Sequence, residues 1–64
     1  MRIKALTSAS NEWSHAFHYD VYITINDANT LREAADYLLK YAWHFADDGS
    51  IVFIRHIVRI FEVD

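Results

Sequence analysis

The chain has 64 residues, of which 53% are hydrophobic and 16% aromatic, with no proline, no cysteine and one glycine. Its formal net charge is −3, with four histidines left neutral. These values exclude a disordered segment and a disulfide or thiolate-metal scaffold, and they argue against a strongly basic nucleic-acid wrapper.

A domain this small buries only about 60% of the surface its unfolded chain exposes. One compact domain over 1–64 is expected, held by tight packing or completed by a partner subunit. The opening Met1-Arg2-Ile3-Lys4 reads as the chain's own start, and no apolar secretory segment follows it. The apolar runs 51–54 and 57–61 are far short of a membrane span. With cysteine absent, the expected location is the cytoplasm.

In chain order, residues 2–7 predict a short strand. Ser8, Ala9, Ser10 and Asn11 predict a turn, because Ser and Asn side chains bond to the nearby backbone. A long alternation follows. Trp13, His15, Phe17, Tyr19, Val21, Ile23 and Ile25 take odd positions, and Ser14, Ala16, His18, Asp20, Tyr22, Thr24 and Asn26 take even ones. Period two predicts a strand with one buried and one exposed face, and its unusual length predicts a bulge or loop near its start.

Residues 26–29 break the pattern. Thr30 and Glu33 form a capping-box signature. Leu31, Ala34, Ala35, Leu38, Leu39, Ala42, Phe45 and Ala46 then recur at helical spacing, which predicts a helix running to residue 46. Its wet face would carry Glu33, Asp36, Tyr37, Lys40 and His44, with Tyr41 and Trp43 packing at the edges of the stripe. Asp47-Asp48-Gly49-Ser50 would end it, with Gly49 suited to a left-handed turn.

Residues 51–63 are rich in β-branched and aromatic side chains and predict a strand apolar on both faces, a helix over 51–61 being the minor alternative. Full extension would span roughly 40 Å, so a bend near Arg55 and His56 is expected. The order is β-β-α-β. The expected fold is α+β, with one helix on one face of a three-stranded, mostly antiparallel sheet. The last strand would lie antiparallel beside the first or parallel beside the second.

One helix covers one face, so the other face becomes the candidate site. Parity places Phe53, Arg55, Ile57, Arg59 and Phe61 outward, with Tyr22 and His18 from the second strand. An apolar patch rimmed by polar groups marks an interaction surface, and Arg and aromatic residues dominate binding hot spots. The expected partner is another protein or a second copy of the chain. The alternative is single-stranded nucleic acid, with Arg2 and Lys4 joining Arg55 and Arg59 in a basic stripe flanked by Phe53 and Phe61.

Other chemistry has thinner support. His15 and His18 differ in parity. His18 with Asp20, or His44 with Asp47 or Asp48, gives two ligands where a metal site needs more, and His44 is better placed to meet the helix C-terminal dipole. His15 and His56 fall among apolar residues and read as hydrogen-bonded core or rim histidines. Ser14-His15 and Ser50 have no triad partner, and no Gly-rich phosphate loop is present. The expectation is a non-enzymatic module without metal or cofactor. In size and character it is of the kind of small phage or mobile-element inhibitors and adaptors, anti-CRISPR proteins among them. That is an analogy of class, and no particular residues carry a family resemblance.

Overall fold

The computed structural model describes residues 1–11 and 14–63, and describes side chains for 1–8 and 20–63. The candidate residue His18, together with Ser14, His15, Phe17 and Tyr19 of the alternating run, therefore has a described backbone only, and Trp13 lies outside the described residues.

The fold is α+β. Strands β1 (Arg2–Asn11) and β2 (Ser14–Thr24) form an antiparallel hairpin, followed by helix α1 (Leu31–Leu38). A second, smaller hairpin pairs β3 (Trp43–Phe45) with β4 (Ile51–Phe53). A single 3-10 turn (Ile54–His56) leads into β5 (Ile57–Val63). The main sheet has the order β2-β1-β5 and is antiparallel throughout, so of the two placements open to the last strand the chain takes the one beside β1.

The alternation of β2 is realised on its described side chains. Ile23 is buried and Val21 packs against the core, whereas Asp20, Tyr22 and Thr24 are exposed. In β1 the odd residues Ile3, Ala5 and Thr7 are buried. Ala34 of α1 and Ala5 of β1 are both fully buried in one core cluster, small side chains where helix and sheet meet. Ile25, Ala28 and Leu38 complete the core. The Met1 ammonium donates to the Ile25 carbonyl at 2.6 Å and to the Ala28 carbonyl at 3.2 Å, tying the β2–α1 connection to the start of β1.

Three expectations are corrected. First, β1 continues through Asn11, where a turn is predicted from Ser8 onward; its pairing with β2 shifts register between Ala9 and Asn11.

Second, the helix is two turns long and does not reach residue 46. It starts as predicted, with the Thr30 hydroxyl oxygen accepting from Glu33 N–H at 3.1 Å; Glu33 Oε1 accepts in turn from the Thr30 hydroxyl. The chain tightens after Leu38 through Lys40 N–H to Tyr37 O and Tyr41 N–H to Leu38 O, and then extends. The apolar positions 42–46 belong to a strand of alternating burial, because Trp43, His44 and Phe45 are stiff aromatic side chains facing Phe53, Val52 and Ile51 across a tight turn. Leu39, assigned to the buried stripe, is 73% exposed.

Third, 51–63 is two strands in two sheets, divided by the 3-10 turn at the expected bend. Within β5, Leu6 opposes Arg59 while Thr7 opposes Ile57, so Val58 is an extra residue that inverts parity. Ile57, assigned outward, turns inward and packs against the core with Ile54 and Ile60.

Candidate interaction surface

The outer face of the main sheet is built from even positions of β1. Across it, Arg2 opposes Thr24 and Val63, Lys4 opposes Tyr22 and Phe61, and Leu6 opposes Asp20 and Arg59. The cations lie on rings. The Arg2 guanidinium is 4.3 Å from the Tyr22 centroid, and Lys4 and Arg59 are each 5.1 Å from that of Phe61. Arg2 also forms an ion pair with Asp47 at 3.0 Å, and Asp47 accepts from the Thr24 hydroxyl at 2.9 Å. Of the predicted site, Tyr22, Arg59 and Phe61 thus share this face with Arg2 and Lys4.

Phe53 and Arg55 stand apart from that group. Phe53 ends β4, and Arg55 lies in the 3-10 turn with its guanidinium 5.2 Å from the Phe53 ring centroid. Beside Phe53 is a surface the sequence reading missed. Alternation in the small hairpin turns His44 and Val52 inward and leaves Trp43, Phe45, Ile51 and Phe53 outward, at 45%, 61%, 50% and 41% exposure. Trp43 opposes Phe53 and Phe45 opposes Ile51, and the Trp43 and Phe45 rings meet edge to face at 5.2 Å. Four large apolar side chains in two cross-strand pairs make one continuous uncharged patch. The signal was available: a W-H-F run and an I-V-F run separated by the five residues Ala-Asp-Asp-Gly-Ser, with the Asp-Gly turn signal inside, predict a hairpin.

The loop explains why the pairs form. Gly49 N–H donates to Ala46 O at 2.9 Å, Ala46 N–H donates to Ser50 O at 2.7 Å, and Gly49 has φ +89°. That is a tight turn closed by a left-handed residue, the geometry that sets hairpin register. The Asp48 carboxylate accepts from both Ser50 N–H and the Ser50 hydroxyl, and these bonds hold its pKa below the ordinary value. At the same end Asp47 N–H donates to the Tyr22 carbonyl at 2.7 Å, fastening the small hairpin to the open edge of β2.

His44 is buried, contrary to its assignment to the wet helix face, and its Nε2 lies 2.9 Å from the Leu38 carbonyl. Tyr37 is half-buried and packs against the core, while Tyr41 is exposed. His56 is half-buried, with its ring 6.1 Å from that of Phe53. Asp47 and Asp48 are engaged with Arg2, Thr24 and Ser50, and neither is paired with His44. Among the described residues no three His, Asp or Glu side chains gather as metal ligands, and no helix is long and apolar enough to cross a membrane. No protein-family model, curated protein or solved structure matches this chain.

Proposed function

We propose that the chain is a protein–protein interaction module that associates with a second copy of itself. One observation carries the reading: the continuous exposed patch of Trp43, Phe45, Ile51 and Phe53 on a chain with a small core. Patches of this composition supply the desolvated anchors that dominate protein interfaces. The four side chains are uncharged, so a two-fold arrangement places the patch on its own copy without opposing like charges. Arg55 sits at the rim against Phe53, where its planar cation suits a partner's carbonyls. A stoichiometric inhibitor or adaptor acting in the cytoplasm is the role this reading favours. It needs no pocket chemistry, and the cysteine-free composition suits a reducing compartment.

The test is mass by light scattering over a dilution series, for the parent protein and for Phe45→Ser and Phe53→Ser. The parent is expected at dimer mass at high micromolar concentration, dissociating on dilution, and both variants are expected as folded monomers. A parent of monomer mass throughout would end the self-association reading.

The second reading places single-stranded nucleic acid on the main sheet. The placement of Arg2, Lys4 and Arg59 with Tyr22 and Phe61 on one face favours it. The same geometry weakens it, because Arg2 is neutralised by Asp47 and the rings already carry cations. Lys4→Gln with Arg59→Gln decides: each cation removed from a phosphate should reduce the salt slope of oligonucleotide binding by about 0.7. Negligible oligonucleotide binding by the parent in low salt would remove this reading.

A further inference from the structure

A cleft of about 500 Å3 separates β2 from β3, lined by Ile23, Thr24, Tyr37, Tyr41, Trp43 and Phe45 among others. Its two long walls are strand edges, and hydrogen-bond alternation shows which groups they present. In the small hairpin, Ala46 bonds to Ser50 and Ile54 bonds to Ala42. Positions 42, 44 and 46 therefore bond across the hairpin, and the main-chain N–H and C=O groups of Trp43 and Phe45 point away from β4. In the main sheet, Met1 and Ile25 exchange both bonds, so the odd positions of β2 bond to β1 and Tyr22 and Thr24 present their main chain to the open edge. One rung, Asp47 N–H to Tyr22 O, joins the two edges. Beyond it they part, and among the described residues the outward groups of Trp43, Phe45 and Thr24 carry no further backbone bond. Unpaired edges of this kind are templates for an added strand.

Charge identifies what the added strand should carry. The rings of Tyr22, Phe53 and Phe61 each hold a cation of the chain itself. Among the described residues Tyr37, Tyr41, Trp43 and Phe45 hold none. Tyr37 and Tyr41 also border a second depression lined by Asp27, Glu33, Asp36 and Lys40, three carboxylates against one ammonium. Tyr37 and Tyr41 pack on His44 and on each other, but their remaining exposed ring surface holds no cation and lies beside surplus carboxylates, which favours guanidinium or ammonium groups. We propose that this cleft binds an extended basic peptide segment of a partner protein, which pairs with the β3 edge and places Arg or Lys side chains on Tyr37 and Tyr41. The proposal rests on the reading of the chain as a protein-binding module but not on self-association, since Ile51 and Phe53 do not line the cleft.

The experiment uses an array of acetylated, amidated octapeptides in which valine alternates with Arg, Lys, Glu or Ser, titrated into the Phe53→Ser protein. Binding is read by Trp43 fluorescence in a Trp13→Phe background and by backbone amide shifts. The Arg and Lys peptides are expected to saturate and to weaken as salt rises, with the Glu peptide at least about tenfold weaker. N-methylation of one alternating set of peptide amides should weaken the Arg peptide by about tenfold, as loss of paired main-chain donors requires. Tyr41→Ala should weaken it, and Leu39→Ala, outside the cleft, should not. Equal affinity for the Arg and Glu peptides, indifference to both sets of N-methyl groups, or no saturable binding would each overturn the proposal. Failure of the dilution series alone would leave this result standing, because the titration is made on the Phe53→Ser protein.

Discussion

The Nε2 of His44 lies 2.9 Å from the carbonyl oxygen of Leu38, joining the small hairpin to the last residue of the helix. A carbonyl only accepts, so Nε2 carries the proton and donates. In a longer helix that carbonyl would accept from the N–H of residue 42. Here the imidazole and, at 3.5 Å, Tyr41 N–H take that place. The His44 ring also meets Tyr37 at 5.4 Å and Tyr41 at 5.8 Å between centroids. His44→Phe keeps an aromatic ring and removes the donor, leaving the Leu38 carbonyl with only the longer bond from Tyr41 N–H. It should therefore destabilise by about 1 kcal/mol in urea unfolding, the usual net contribution of one hydrogen bond. A stability equal to the parent would show that ring packing alone holds the two elements together.

Leu38 and Leu39 are adjacent and opposite in fate. Leu38 is 3% exposed in the core cluster, and Leu39 is largely in water. Leu38→Ala should cost about 2–5 kcal/mol, the range for emptying a core site, and Leu39→Ala should change stability by less than about 0.5 kcal/mol. Tyr37→Ala, half-buried, should fall between them. Comparable losses at 38 and 39 in denaturant melts would contradict the placement of this helix face.

The same pair shows what the sequence made legible. The capping signature at Thr30, the spacing of Leu31, Ala34 and Leu38, and the parity of Val21, Ile23 and Ile25 each follow from local chemistry, and each appears in the structure. The end of the helix was illegible. Ala42, Phe45 and Ala46 continue the helical spacing by coincidence, and the rival signal, aromatic strands around Asp-Asp-Gly, decides only when the cross-strand partners 51–53 are counted with it. Ile57 was misplaced for a related reason. A bulge at Val58 inverts every parity assignment before it in β5, and nothing in Ile57-Val58-Arg59 marks which residue is extra. The exposed Trp43-Phe45-Ile51-Phe53 patch was illegible for the same reason as the helix end, since a helix through 46 would bury Phe45.

Gly49 closes the turn that sets the register of that patch. Its φ is +89°, and a β-carbon added there would meet nothing within 4 Å. The cost of Gly49→Ala is therefore conformational and should be roughly 1–2 kcal/mol, whereas Gly49→Asn, which tolerates this region, should cost less. Thermal unfolding of the two variants checks the order. If Ala and Asn are equivalent, the left-handed conformation is not what limits the turn.

Asp48 gives the turn a pH dependence whose sign is fixed. The Ser50 hydroxyl, first, and the Ser50 N–H, second, lower the Asp48 pKa in the folded chain relative to its ordinary value of 3.8. A carboxyl whose pKa falls on folding adds stability above its unfolded pKa, and that contribution is lost as pH drops through the folded value. Ser50→Ala removes the larger of the two bonds and leaves the main-chain donor. The Asp48 titration midpoint, followed by carboxyl-carbon NMR, should rise toward the ordinary value without reaching it. The acid-side loss of stability, measured by urea unfolding at a series of pH values, should become shallower by the same sign. Asp48→Asn should flatten that limb further, because no charge remains to titrate. An unchanged Asp48 midpoint in Ser50→Ala would show that the hydroxyl bond does not hold in solution, and that among the donors to Asp48 it is Ser50 N–H that lowers its pKa.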